Sequence, residues 1–351
     1  FAFHCTLPFP MERVCYIVVF LAIIVTACRK DLPEVIPVEP EPLLAVPAGF
    51  PTPVFPDGNG LTPARWILGK KLFYDPIMSS DSTRSCASCH HAAKAFSDTI
   101  AFSPGIADRP GTRNAPTLAN IGYHPYFTRE GGVPTLEMQV LVPIQEHNEF
   151  DFNILLIVDR LLHDTAYVRM SREAYDRDPD AFVITRSIAC FERTLVSGQS
   201  PYDLYYFQGK NEALTTAEKR GLNLFFSEKT DCSQCHTGFN FTNYTFENNG
   251  LYADYPDPGR FRLTELESDR ARFKVPTLRN ISLTSPYMHD GSLTTLEAVV
   301  EHYNSGGYPH PNKNALIRPL GLTAGEKADL VAFLNSLTDQ AFVRNPKFRQ
   351  N

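Results

Sequence analysis

Two pentapeptides hold the residue types and spacing that predict the chemistry of this chain: Cys86-Ala87-Ser88-Cys89-His90 and Cys232-Ser233-Gln234-Cys235-His236. Two thiols separated by two residues reach the two vinyl groups of one haem, and the imidazole that follows binds its iron as the proximal ligand. A zinc site built from two C-x-x-C pairs is the competing interpretation. The histidine after each pair and the export signal described below favour two covalently bound haem c groups. The predicted thioether and axial residues are Cys86, Cys89, His90, Cys232, Cys235 and His236.

The segments around these motifs carry the start signals of helices. Thr62 followed by Pro63 provides an N-cap and a proline at the first helical position. A threonine followed three positions later by a glutamate, which is a capping box, recurs at Thr215, Thr294 and Thr323. Strand-like alternation is scarce, so the sequence predicts a mainly α, loop-rich fold.

An internal repeat organises the chain around the two motifs. The repeated pairs are Gly69-x-x-Leu72-Phe73 with Gly221-x-x-Leu224-Phe225, Pro116-Thr117-Leu118 with Pro276-Thr277-Leu278, and Thr135-Leu136-Glu137 with Thr295-Leu296-Glu297. The last two pairs are separated by the same number of positions. The repeat predicts two related, cytochrome c-like haem domains, one at 57–210 and one at 211–351.

The first 28 residues read as an export leader when translation starts at Met11. An apolar run follows Arg13 and ends in Val25-Thr26-Ala27-Cys28, which resembles a bacterial lipobox. Cys28 would then be lipidated, whereas an ordinary cleaved signal peptide is the alternative. The proline-rich stretch 29–56 predicts an extended tether. We therefore expect a periplasmic or envelope protein that meets the membrane only through a lipid anchor.

The composition is that of a soluble globular protein, with 43% hydrophobic and 21% charged residues. The net charge is −6 and no basic stripe stands out, which argues against nucleic acid as a partner. Cys190 lies in an apolar stretch outside both motifs and outside the leader. We expect it to be a buried, inert thiol.

The motifs near the two pentapeptides resemble the di-haem cytochrome c peroxidase family, which includes the MauG-like enzymes. They are LGKKLFYDP at 68–76, RNAPT at 113–117, FKVPTLRN at 273–280 and PYMHDG at 286–291. The resemblance spans roughly residues 60–340, with the motifs in the order of the family. It implies that the N-terminal haem is the peroxide site and that the C-terminal haem passes electrons to it.

The resemblance also implies a distal pocket and a cation site. Gln139 and Glu149 match the distal-pocket pair, although a packing amide and a solvated loop acid are the alternatives. A carboxylate over the iron can take a proton from one peroxide oxygen and return it to the other. The calcium ion of the family would be held by the Asn114 side chain and by the carbonyls of Thr284 and Pro286.

Two positions depart from the pattern of the family. Ile106 stands where many members have a distal histidine that caps the peroxide haem, and His91 or His124 is a conceivable substitute. We therefore expect the His90 haem to be five-coordinate or water-bound. Arg129 lies in FTREG, where the family has a tryptophan between the haems, and the only tryptophan of this chain is Trp66.

The second axial ligand of the C-terminal haem is predicted to be Tyr303. Peroxidases of the family usually have a methionine at this position, and Met288 or His302 is the alternative ligand here. The predicted helix puts Leu296, Val299 and Tyr303 on one face. A phenolate ligand would favour the higher oxidation states of the iron.

Together these features predict an exported di-haem peroxidase that reduces hydrogen peroxide to water, with electrons from a small redox protein. A MauG-like oxidase of a protein substrate is the first alternative. A non-catalytic electron-transfer cytochrome with two haems is the second.

Overall fold

The computed structural model describes residues 42–350. The predicted leader, Cys28 and residues 29–41 of the predicted tether lie outside these residues. The α-helices are α1 Pro63–Tyr74, α2 Leu136–Gln139, α3 Leu141–Gln145, α4 Ile154–Leu162, α5 Thr165–Tyr175, α6 Ala181–Glu192, α7 Pro201–Tyr206, α8 Thr216–Phe225, α9 Cys232–Cys235, α10 Phe261–Thr264, α11 Leu296–Ser305, α12 Ala324–Asn335 and α13 Gln340–Arg344. None of the helices in the described range is long and apolar enough to cross a membrane.

Short 3₁₀ helices and one small sheet complete the regular structure between residues 42 and 350. The 3₁₀ helices are Pro76–Met78, Cys86–Ser88, Ala92–Lys94, Ile106–Asp108, Ile121–Tyr123, Asn211–Ala213, Glu267–Asp269, Ile281–Leu283 and Pro346–Phe348. Strands β1 Phe246–Glu247 and β2 Phe273–Lys274 pair antiparallel, with Phe246 opposite Lys274. The prediction of a mainly α, loop-rich fold is confirmed.

Side-chain caps begin the helices at most of the predicted positions. The hydroxyl of Thr62 accepts from Arg65 N at the start of α1, and the capping boxes at Thr215 and Thr323 are both formed. The box predicted at Thr294 is wrong by one residue. Thr295 is the N-cap of α11 and accepts from Ala298 N, whereas the Thr294 carbonyl accepts a bond from Ser285.

The buried apolar side chains of the described residues form two clusters. The first contains residues between Trp66 and Leu195 together with Phe342, Val343 and Phe348. The second contains residues between Tyr202 and Leu337. The predicted domain boundaries stay a prediction.

A close helix pair anchors each cluster. In α1, a Cβ on Gly69 would lie 1.8 Å from the Ser187 carbonyl oxygen of α6. In α8, a Cβ on Gly221 would lie 1.9 Å from the Asp329 carbonyl oxygen of α12. The missing side chain therefore lets each helix approach the backbone of its neighbour.

Buried polar groups stabilise the region around α7. Arg279 is 0% exposed and Asp203 1% exposed in their side chains, and the guanidinium lies 2.6 Å from the carboxylate. Arg279 also donates to the carbonyl of Phe239 at 2.8 Å. Because the charge is paired and hydrogen-bonded, its burial is tolerated.

Candidate active site

The first pentapeptide folds into a compact turn that prepares His90 as a ligand. Cys86–Ser88 forms a 3₁₀ helix, and His90 N donates to Cys86 O at 3.0 Å. His90 Nδ1 lies 2.8 Å from Phe96 O, and because a carbonyl only accepts, Nδ1 carries the proton. Burial lowers the pKa of His90. The neutral imidazole therefore leaves its Nε2 lone pair free for a metal.

The second pentapeptide holds His236 in the same way. It forms α9, His236 N donates to Cys232 O at 3.0 Å, and Nδ1 donates to Phe241 O at 3.1 Å. Burial lowers the pKa of His236 as well. The loops that supply the Phe96 and Phe241 carbonyls are each held by the threonine of a Pro-Thr-Leu motif. Thr117 donates to Ala95 O, and Thr277 donates to Asn240 O at 2.7 Å.

A cavity of about 450 Å³ opens beside the first pentapeptide. Its walls include Cys86, Cys89 and His90 together with Gln139 and Glu149. The volume falls within the range of about 300–1,000 Å³ that is typical of ligand and cofactor sites. The structure thus brings the predicted distal pair and the first motif to one cavity.

Glu149 faces this cavity from the loop after α3. Its carbonyl accepts from Ile106 N at 2.9 Å, so the loop of Ile106 lies against its backbone. Ile106 itself is buried. Glu149 is exposed to the open cavity. The protein atoms packed around its carboxylate, and next the nearby charge of Glu146, raise the pKa of Glu149 to about 7.

Two further polar groups of the cavity lack a protein partner among the described residues. Gln139 Oε1 at the end of α2 and His124 Nε2 are buried without a hydrogen bond. His91, the other conceivable substitute for the distal histidine, is exposed and lies 3.6 Å from Asp98. Of the two conceivable substitutes, only His124 lines the cavity, together with His90.

Tyr303 lies on α11 close to the second cysteine pair. The thiols of Cys232 and Cys235 are near enough to add to the effect of burial, which raises the pKa of Tyr303. The phenol oxygen is 3.4 Å from Asn249 Nδ2. Of the two alternative ligands, His302 is engaged elsewhere, since its Nε2 donates to Asn249 O at 3.0 Å. Met288 Sδ lies 3.3 Å from Asn249 Nδ2, the same atom that Tyr303 contacts.

The three predicted calcium ligands lie on the wall of the first cavity. They are Asn114, Thr284 and Pro286. Arg129 donates to the Asn114 carbonyl at 2.6 Å, and its guanidinium is 3.3 Å from the side-chain oxygen of Asn114. Burial and the nearby Arg113 lower the pKa of Arg129 to about 10. The calcium ion stays a prediction.

Comparison with known proteins shows the family of this chain. The family model of the di-haem cytochrome c peroxidases matches residues 63–212. The methylamine utilization protein MauG of Methylorubrum extorquens is 34% identical over 89% of this chain and 90% of its own length. Cytochrome c551 peroxidase of Nitrosomonas europaea is 34% identical over 77% of this chain and 79% of its own. The chain belongs to the di-haem cytochrome c peroxidase family.

A solved structure supports the same fold along most of the chain. It is a MauG-like protein associated with microbial copper homeostasis, with a TM-score of 0.82 and 36% identity. The alignment covers 87% of this chain and 97% of that one. The fold of the family therefore extends through both pentapeptides.

Membership of the di-haem peroxidase family implies two haem c groups and a peroxidase-like oxidoreductase activity. The residues present fit two such groups. Each cysteine pair is followed by a neutral imidazole with a free Nε2, and the first cavity presents unpartnered polar atoms. Cys190 is buried, and burial raises the pKa of its thiol to about 11.

Sequence reasoning missed a buried carboxylate of the cavity, Glu192, at the end of α6. Its residue is 8% exposed, and burial raises its pKa to about 8. Its charge, after burial itself, raises the pKa of the Cys86 thiol, which places it near the first motif. An acid within the apolar run of a buried helix was the signal that could have identified it.

Proposed function

We propose that this protein reduces hydrogen peroxide to water at the His90 haem, with electrons that arrive from a small redox protein through the His236 haem. The observation that carries the proposal is the cavity that Gln139 and Glu149 share with His90. A purely electron-transferring cytochrome has no need of an acid–base carboxylate and a buried amide acceptor beside its iron.

Glu149 is proposed to move the proton that the reaction requires. The bound haem supplies an iron that binds peroxide and takes up its oxidising equivalents. A carboxylate with a pKa of about 7 is close to neutral pH, so it can accept a proton from one peroxide oxygen and return it to the departing one. Gln139 Oε1 is a free acceptor that can orient a peroxide or water O–H.

We further propose that the two haems occupy two related domains, at 57–210 and 211–351, in an exported protein with a lipid anchor at Cys28. The matching bonds of His90 and His236 to loop carbonyls support the repeat. A calcium ion at Asn114, Thr284 and Pro286 is part of the same proposal. Metal analysis after dialysis against EGTA tests the ion, and one retained calcium per chain is the expected result.

A MauG-like oxidation of a protein substrate is the second candidate. The observation that favours it is Tyr303 beside the second cysteine pair. A phenolate ligand favours the higher oxidation states of the iron, so the second haem would be a poor electron acceptor and better suited to store oxidising equivalents.

One assay separates the two candidates. Peroxide is added to the purified di-haem protein with a reduced small c-type cytochrome, and both peroxide and cytochrome are followed. The peroxidase proposal predicts catalytic oxidation of the cytochrome, which Glu149→Gln slows about 10²- to 10⁴-fold. Consumption of peroxide with no oxidation of any small donor would contradict it, and new oxidised side chains on a co-exported protein, seen by mass spectrometry, would favour the second candidate.

A further inference from the structure

Asn249 is the polar side chain that contacts the proposed axial ligand of the second haem. Its Nδ2 lies 3.4 Å from the phenol oxygen of Tyr303 and 3.3 Å from Met288 Sδ. Asn249 stands in the loop after β1, outside every motif from which the function was predicted. Its position beside Tyr303 therefore needs a separate explanation.

The hydrogen bonds at the other end of the Asn249 amide determine which atom faces Tyr303. Its Oδ1 accepts from the Tyr255 hydroxyl at 3.3 Å and from Leu251 N at 3.2 Å, and the same Leu251 N–H also donates to the Tyr255 hydroxyl at 2.7 Å. A backbone N–H only donates, so the end beside Leu251 must be the oxygen. The amide nitrogen is thus the end that faces Tyr303.

The backbone of Asn249 is tied to the helix that carries the ligand. His302 Nε2 on α11 donates to Asn249 O at 3.0 Å. The same residue therefore contacts two successive side chains of α11, one through its carbonyl and one through its amide nitrogen. A movement of the Tyr303 ring away from this position would break the contact with the amide.

We propose that Asn249 is a positioning residue that donates a hydrogen bond to the Tyr303 oxygen and thereby sets the reduction potential of the second haem. The inference rests on the proposed role of Tyr303 as axial ligand. A donated hydrogen bond withdraws electron density from a phenolate oxygen, which weakens its stabilisation of the ferric state. Asn249 therefore raises the potential above the value that an unbonded tyrosinate would give.

The first test replaces the donor with an apolar side chain of similar size, in Asn249→Leu. A hydrogen bond to a charged group is strong enough to change an equilibrium about tenfold. We expect the equilibrium constant for reduction of the second haem to fall about tenfold, which is about 59 mV for one electron. Spectroelectrochemical titration measures the potential, and the phenolate-to-iron absorption band should shift in the same variant.

Tyr255→Phe removes the hydroxyl that orients the amide, and it should lower the potential by a smaller amount. Tyr252→Phe is the matched control. Tyr252 packs edge-on against Tyr255 at 5.4 Å, but its hydroxyl donates to Asp290 at 2.5 Å rather than to Asn249. The control should keep the wild-type potential. An equal shift of the potential in Tyr252→Phe would overturn the inference, because the shift would then come from altered packing of the tyrosines and not from the Asn249 amide.

Tyr303→Phe separates the failure of this inference from that of the proposal on which it rests. If Tyr303→Phe leaves the spectrum and potential of the second haem unaltered, the tyrosine is not the ligand and both fall. If Tyr303→Phe changes them while Asn249→Leu retains the wild-type potential and absorption band, only the role of Asn249 is overturned. Changes in both variants, with the control unaltered, are the expected result.

Discussion

Glu149 combines a position in the first cavity with a pKa near neutrality. Glu149→Gln removes the proton acceptor and keeps nearly the same shape. We expect the variant to bind both haems and to react with peroxide about 10²- to 10⁴-fold more slowly, which is the range for a lost acid–base group. Stopped-flow absorbance measures the rate.

Glu173→Gln is the control, because Glu173 is an exposed acid of α5 and is not among the residues that line the cavity. Its rate at high pH should stay within a few-fold of the wild type, as expected for a group outside the reaction. A Glu149→Gln variant as fast as the wild type would return Glu149 to the role of a loop acid.

The pH dependence of the same reaction follows from the raised pKa of Glu149. The carboxylate accepts a proton only when it is ionised, and its pKa is about 7. The rate constant should therefore rise through a midpoint near pH 7 and level off above it. Because the Glu146 charge contributes to the raised pKa, Glu146→Gln should move the midpoint to lower pH. A rate that falls as the pH rises would contradict this assignment.

At the residue scale the sequence identified the groups whose spacing alone defines their chemistry. The cysteine pairs and their histidines are of this kind, since attachment of haem c needs only the pentapeptide. Glu149 could be proposed only through the resemblance to a family. Glu192 and Asn249 were missed because their importance depends on burial and on contacts with distant segments, which residue order does not contain.

At the scale of elements, the close approach of paired helices depends on glycine. Gly221→Ala would place a Cβ 1.9 Å from the Asp329 carbonyl oxygen, so α8 and α12 must separate. We expect a loss of about 1–3 kcal/mol in the free energy of unfolding, as for other overpacked sites. Chemical denaturation followed by circular dichroism measures it.

Gly60→Ala is the control for this prediction, because no atom lies within 4 Å of a Cβ built there. Its free energy of unfolding should match that of the wild type. A Gly221→Ala variant as stable as the wild type would show that the two helices do not need their close contact.

Helix starts were predictable where one residue can act as the cap. Thr323 has a glutamate at the right spacing and a single candidate hydroxyl, whereas Thr215 has the adjacent Thr216 as a competitor and is nevertheless the cap of α8. Thr294 and Thr295 are adjacent, and both could cap α11. The choice of Thr295 follows from the tertiary bond of Ser285 to the Thr294 carbonyl, which sequence pattern does not show.

At the scale of the whole molecule, the buried ion pair of Arg279 and Asp203 joins two distant parts of the chain. Arg279 lies in segment 276–280, after the second pentapeptide, and Asp203 lies in α7. Asp203→Ala would leave a buried guanidinium without its carboxylate, which typically costs about 3–5 kcal/mol. Thermal or chemical unfolding should show this loss. Glu267→Ala breaks the exposed pair with Arg270 instead, and the expected cost is about 0–1 kcal/mol. Equal losses in both variants would contradict the special role of burial.

The helical class could be predicted from the sequence, but the way distant segments pack could not. Phe342, Val343 and Phe348 lie near the C-terminus and pack with the first hydrophobic cluster. No periodic pattern specifies such a return of the chain, because it depends on the shape of the surface that the earlier helices leave open.

The most direct test of the account mixes the fully ferric di-haem protein with hydrogen peroxide in a stopped-flow instrument and follows both haem spectra. The Ile106 side chain has no atom that can bind the iron of the His90 haem. Glu149 lines the cavity beside His90. We predict a rapid spectral change without any added reductant. Two low-spin haems that show no change until a reductant is supplied would contradict the account.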